Sequence, residues 1–215
     1  MDLGFRYLET DVHVTSDGVL VAFHDDRLDR VTDATGALAE LTWDDVSHAR
    51  VAGTDPVLRL EEMLEAFPDA FVNIDPKAWS AVEPLAETLV RMDALDRVCV
   101  TSFSRRRTLA VKKLTGDRLC TGGAAGAVVQ LYSGMPLRML RDIDVLQVPT
   151  RAGGREIVNE GFVRRAHRRG IHVHVWTIDD PSEMHRLLDL GVDGIMTDEP
   201  TILRSVFLER GIWPG

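Results

Sequence analysis

The sequence is short of cysteine, of positive charge and of long apolar stretches, and each shortage excludes something. Cys99 and Cys120 are the only cysteines in 215 residues. Each sits in an apolar, strand-like run, where a buried thiol is expected rather than a disulfide. That suits a reducing compartment, and a cytoplasmic location is the expectation. Lys and Arg number 25 against 34 Asp and Glu, for a net charge of -9. Such a surface does not attract nucleic acid or anionic lipid. A phosphate-bearing ligand then needs local positive charge, from a metal or a placed lysine. No run of roughly 18 apolar residues is present, so no transmembrane helix is expected. No leader is visible either, since Met1-Asp2-Leu3-Gly4-Phe5 runs almost at once into a strand. Low-complexity segments and dividing linkers are also lacking. What is present is ordinary for a globular protein, 45% hydrophobic and 27% charged. One domain over 1–215, with a sizeable core, is expected.

From about Phe71 onward, strand-like runs alternate with amphipathic ones. Phe71-Val72-Asn73-Ile74 reads as a strand. A helix follows from Ser80, with Ser80 and Glu83 spaced as a capping box and Val82, Leu85, Leu89 and Met92 at helical spacing. Val98–Thr101 is a strand, and a helix runs on through Leu109 and Leu114. Arg118–Thr121 is a weak strand, Leu137–Leu140 part of a helix, and Val145–Val148 a strand. Phe162–Arg169 is a helix ended by Gly170, and Ile171–Val175 a strand. Asp180 caps a helix with Pro181 at its first position; Val192–Met196 is the last strand and Pro200 opens the last helix. Such βα alternation predicts a parallel sheet covered by helices. Ahead of it, Tyr7–Val14 and Val19–Phe23 flank an Asp17-Gly18 turn, a hairpin signature. Residues 25–58 read as a loop-rich insertion with one helical turn near Thr42-Trp43-Asp44. Seven barrel-type strands result, near Tyr7, Phe71, Val98, Arg118, Val145, Ile171 and Val192. A closed (β/α)8 barrel needs eight. The prediction is a TIM-type α/β barrel lacking its first βα unit.

Three clusters carry chemistry. Glu9 and Asp11 alternate along a strand and so share a side. They are either a solvated strand face or a pair that needs a cation between them. His24, in Phe23-His24-Asp25, ends the hairpin's second strand and is either a surface residue or a catalyst at the rim. Asp75 and Lys77, in Asn73-Ile74-Asp75-Pro76-Lys77, stand where a barrel strand meets its loop. They either pair on the surface or join a site, since the carboxyl ends of barrel strands carry active sites. Glu9, Asp11 and Asp75 together form an oxygen set suited to a hard cation, Mg²⁺ or Ca²⁺.

The run Tyr7-Leu8-Glu9-Thr10-Asp11-Val12-His13-Val14-Thr15-Ser16-Asp17-Gly18, followed by Val21-Ala22-Phe23-His24-Asp25, resembles the central signature of the glycerophosphodiester phosphodiesterase family. Asn73–Lys77 resembles its next motif. Thr101-Ser102-Phe103, Val175-Trp176-Thr177 and Gly191–Pro200 are similar to its later strand ends. The resemblance implies a (β/α) barrel that hydrolyses glycerophosphodiesters to an alcohol and glycerol 3-phosphate. It implies that Glu9, Asp11 and Asp75 hold one divalent metal, that His24 is an acid/base residue, and that Lys77 meets the phosphate. Trp176 either lines the glycerol side of the pocket or is a core aromatic.

The family more often has Glu where this chain has Asp75. It also opens with a His-Arg-Gly strand and a Glu-Asn-Thr-like segment, and neither is in the sequence. A second acid/base residue and a phosphate-binding arginine are then absent. The expectation is a front-truncated enzyme with weak or no turnover. Self-association through exposed edges at the Tyr7 and Val192 strands is also expected. The other readings are a non-catalytic barrel that binds metal or phosphate, and a phospholipase on the same fold.

Overall fold

The computed structural model describes residues 2–123, 125–133, 140 and 142–213, with the side chain of Ser133 excepted. The chain falls into two compact units, Arg6–Cys120 and Met1–Phe5 with Thr121–Gly215.

In the first unit, β1 (Tyr7–Val14) pairs in parallel with β6 (Phe71–Pro76), and β6 with β7 (Val98–Val100). β2 (Leu20–Ala22) folds back antiparallel on the end of β1, from Val12 to Val14. The turn between them needs a left-handed residue, and Gly18 supplies it at φ 87°. The pleat then sorts the side chains. Leu8, Val12 and Val14 of β1 and Val72 and Ile74 of β6 face one way. There they pack with Leu60 and Leu64 of α2 (Leu60–Ala66), Leu85 and Leu89 of α3 (Val82–Arg91) and Val111 of α4 (Arg105–Thr115). Each such aliphatic side chain contributes roughly 1.5–3 kcal/mol when fully buried. Glu9, Asp11, Asn73 and Asp75 are thereby turned to the opposite face.

The insertion has more structure than its polar composition suggests. It holds α1 (Trp43–Ser47), capped by Thr42 and Asp45, a two-residue ladder of β3 (Arg50–Val51) with β4 (Asp55–Pro56), and β5 (Leu58–Arg59) against β2. Leu28, Leu38, Val46, Ala49 and Val57 close a small core of their own with Val21 and Phe23. That core anchors the strand end that carries His24. The expected Ser80 capping box does not form. The chain enters α3 through a 3₁₀ turn at Trp79–Ala81, whose extended first residue is Ala78. Ser80 lies inside that turn, and an N-cap must lie outside the helical conformation.

In the second unit, β8 (Cys120–Gly123), β9 (Val145–Val148), β12 (His172–Val175) and β13 (Gly194–Ile195) pair in parallel in that order. The weak strand expected at 118–121 thus lies two residues later, and the last strand is shorter than expected. α5 (Ala125–Ser133), α6 (Glu160–His167), α7 (Pro181–Asp189) and α8 (Pro200–Glu209) alternate with the strands; β10 (Arg151–Ala152) and β11 (Arg155–Glu156) form a small ladder. Asp180 caps α7 as expected, its Oδ1 accepting the Glu183 N–H at 2.8 Å. Phe162, Val173, Met184, Leu187 and Leu203 lie in the core of this unit. The helix expected at Leu137–Leu140 falls on residues 137–139, outside the described residues; Leu140 is in a bend. Cys99 and Cys120 are thiols, each half-buried rather than buried. Among the described residues, three strands pair in parallel in the first unit and four in the second, the seven expected from the sequence.

Candidate active site

Asp11 of β1 and Asp75 of β6 stand side by side in the parallel register, as do Glu9 and Asn73. Two buried carboxylates on adjacent strands repel, and Lys77 answers this directly. Its ammonium lies 2.8 Å from Asp11 Oδ1 and 3.3 Å from Asp75 Oδ2. The Lys77 N–H also donates to the Val12 carbonyl at 3.1 Å, which carries the β1–β6 ladder one residue past the strand. Burial works against the Lys77 ammonium, but the Asp11 hydrogen bond and the charges of Asp75 and Asp11 outweigh it, and its pKa is raised. Burial pushes the Asp11 carboxyl up, against the pull of Lys77. Glu9 is pushed up to about 7, by burial first and by the Asp11 charge second. Glu9 as a residue is exposed, so water screens part of that effect.

His24 follows the end of β2 with its side chain 75% exposed, against 5% for Asp11. Its Nε2 is 3.6 Å from Asp11 Oδ2. On the other side, Nδ1 donates to Asp25 Oδ1 at 2.6 Å. Arg30 grips Asp25 with two bonds, Nε to Oδ2 at 2.6 Å and Nη2 to Oδ1 at 2.8 Å. This guanidinium and the imidazole hold the Asp25 carboxyl well below the usual range. An ionised Asp25 places the proton on Nδ1 and leaves Nε2 turned toward the carboxylates. The loop carrying this group is fixed from behind by buried His13, whose Nε2 donates to the His24 carbonyl at 3.2 Å. Burial lowers the His13 pKa.

Five of the six residues singled out from the sequence therefore meet in the first unit: Glu9, Asp11, His24, Asp75 and Lys77. Trp176 does not belong to that unit. It follows β12 in the second, half-buried, its backbone N–H donating to the Val148 carbonyl at 3.2 Å. Asp25 and Arg30 are additions to the site. Adjacency to His24 was a signal for Asp25; Arg30, five residues on in a loop, carried none.

As the side chains stand, no three His, Cys, Asp or Glu groups among the described residues are placed to hold one metal ion. The cation found between Asp11 and Asp75 is Lys77. The donor chemistry nevertheless fits a hard divalent ion. Three carboxylates share a face, and Asp75 Oδ1 is buried with no hydrogen-bond partner. Such an oxygen is unfavourable until a positive group covers it. An open groove of about 430 Å³ beside α6, lined among others by Glu160, Arg164 and His167, lies in the second unit and contains none of these residues. Among the described residues, no helix is long and apolar enough to cross a membrane.

Comparison with known proteins agrees on fold and family. A phosphodiesterase from Oleispira antarctica, solved with the product sn-glycerol-3-phosphate, superposes with a TM-score of 0.83 at 20% identity, covering 96% of this chain and 86% of that one. A glycerophosphodiester phosphodiesterase from Parabacteroides distasonis gives 0.79 at 21% identity, covering 98% and 87%. These neighbours are TIM-type barrels, the fold class read from the strand count. A Mycobacterium tuberculosis protein named "Probable glycerophosphodiester phosphodiesterase 2" is 43% identical over 220 residues, 99% of this chain and 83% of its own. Residues 1–202 match the profile of the Glycerophosphoryl diester phosphodiesterase family, and with the acidic strand, the rim histidine and the Asp-Pro-Lys strand end all in sequence order, the chain belongs to that family.

Proposed function

We propose that this protein hydrolyses glycerophosphodiesters, releasing an alcohol and glycerol 3-phosphate, at the cluster of Glu9, Asp11, His24, Asp75 and Lys77. The observation that carries the reading is the pairing of Asp11 with Asp75 across β1 and β6, with Lys77 on both and His24 beside Asp11. Family membership supports the reaction class. Lys77 supplies a positive charge for a phosphoryl oxygen, where negative charge grows in the transition state. His24, oriented through Asp25 and Arg30, acts as the imidazolium: it gives its Nε2 proton to the leaving alkoxide oxygen as that P–O bond breaks, while a water oxygen forms the new bond to phosphorus and leaves glycerol 3-phosphate. Glu9, Asp11 and Asp75 would hold one Mg²⁺ or Ca²⁺, which would polarise the phosphoryl oxygens when bound.

The test is release of glycerol 3-phosphate from glycerophosphocholine, with Mg²⁺ or Ca²⁺ supplied. Release in step with protein concentration is expected. If the chain binds glycerol 3-phosphate and releases no alcohol, the site is a binding site and the hydrolase reading is wrong.

A further inference from the structure

α4 begins Arg105-Arg106-Arg107 and has no acidic residue in its first turn. Three cations there stand against the helix dipole. One of them makes directed bonds to the site. Half-buried Arg107 donates from Nε to Ser102 Oγ at 3.1 Å and from Nη1 to the Lys77 carbonyl. Ser102 is buried, and its Oγ also accepts the Ser104 N–H at 3.2 Å. The opposite side of Lys77 is tied as well, its N–H to the Val12 carbonyl of β1. The backbone from which the Lys77 side chain projects is thus held from β1 on one side and from α4 on the other. Thirty positions separate Lys77 from Arg107 in the chain.

We propose that Arg107 is a positioning residue for Lys77: it fixes the strand exit so that the ammonium reaches Asp11, Asp75 and the substrate phosphate together. The proposal rests on the reading that Lys77 meets the phosphate. A long side chain on an untethered loop samples many rotamers, and ordering it on binding weakens affinity. Tethering the peptide removes part of that loss before the ligand arrives. The guanidinium suits the task because its planar fork serves two acceptors at once; a lysine ammonium is a point donor.

The experiment is a double-mutant cycle on the full chain with Mg²⁺ present, using sn-glycerol 3-phosphate as the probe. Its Kd is measured by calorimetry, and the ³¹P resonance of the bound probe is recorded. Urea midpoints confirm folding. Lys77→Ala is expected to weaken binding at least tenfold. Arg107→Ala is expected to weaken it about tenfold, the lower end of what a supporting residue behind a binding group typically contributes, and to move the ³¹P resonance toward its place in Lys77→Ala. The double variant should bind no worse than Lys77→Ala alone, because Arg107 acts only through that lysine. Additive losses in the double variant overturn the proposal, as does unchanged binding by a folded Arg107→Ala. Should Arg107→Ala lose its fold, Arg107→Lys is compared instead: it is expected to retain the weakened binding, and wild-type affinity there overturns the proposal. If Lys77→Ala itself binds as well as wild type, the phosphate role of Lys77 has failed. That outcome takes this proposal with it, and the single-variant data show which of the two gave way.

Discussion

The sharpest test of the site is Asp11→Asn read through the metal response. A cation that binds only the folded protein raises stability by RT ln(1 + [L]/Kd), about 2.7 kcal/mol when the metal is at 100 times its Kd. For a chain of this size about 1 kcal/mol moves the melting temperature by roughly 2–4 °C. A rise of about 5–11 °C is then expected for the wild type. Asp11 is 5% exposed and faces Asp75 across the register, so an amide there removes one of three charged donors with little room for water to replace it. An affinity loss of about 100-fold leaves only about 0.4 kcal/mol at the same metal concentration, a rise of roughly 1–2 °C. The metal-free melting temperature is the wrong readout. Asp11→Asn leaves Lys77 with Asp75 at 3.3 Å as its remaining partner, yet it also relieves repulsion on Glu9 and Asp75, and these act in opposite directions. The comparison must be made within each protein, with chelator and with metal, at pH 8. Exposed Asp69→Asn serves as the charge-matched control. If Asp11→Asn keeps the wild-type rise, or Asp69→Asn loses it, Asp11 is no ligand and the metal reading goes with it.

Three further outcomes are expected. Glu9, pushed up to about 7, keeps its proton in the folded protein while an unfolded chain releases it near 4.5; its contribution to metal-free stability is present below about pH 4.5 and is lost as pH rises through 7. A metal needs the anion, so the metal-induced rise should be larger at pH 8 than at pH 6, and scanning calorimetry showing the reverse removes Glu9 from the ligand set. His24→Ala should lower kcat by about 10²–10⁴-fold with an unchanged urea midpoint, since the side chain is 75% exposed; a stability loss of comparable size would make it a structural residue. Ile74→Ala should cost about 2–5 kcal/mol in urea denaturation, because Ile74 is fully buried behind the Asp75 strand end. A cost under about 1 kcal/mol contradicts the packing described for β6.

Much of the site was legible because it follows from strand alternation. Glu9 and Asp11 two residues apart, and Asp75 closing the strand-like Phe71-Val72-Asn73-Ile74 run, are local patterns that a pleat converts into a common face. The register that sets Asp11 against Asp75 is a contact between strands far apart in the chain, with no local trace. Arg107 escaped for the same reason, since it reaches the Lys77 carbonyl from α4, thirty positions on; Arg30 reaches Asp25 through a loop geometry that no periodicity encodes. The insertion was under-read because Leu28, Leu38, Val46 and Val57 are too widely spaced for a helical or strand period, although together they fill one core. At Ser80 the local rule was right in kind, but the 3₁₀ turn moved the helix entry back to Ala78.

Among the described residues, two of the apolar clusters draw only on Arg6–Cys120, and the third draws on Met1–Phe5 and Thr121–Gly215. This bears on the order of events during synthesis. Contacts of lower sequence separation cost less closure entropy and form earlier. The stretch ending at Cys120 contains β1, β6 and α4, and with them the carboxylates, Lys77 and Arg107. It carries every core residue of its own clusters, and in chains synthesised at about 5–20 residues per second the N-terminal portion generally folds first. The expectation is that Asp11 and Asp75 come side by side before the later half of the chain has folded.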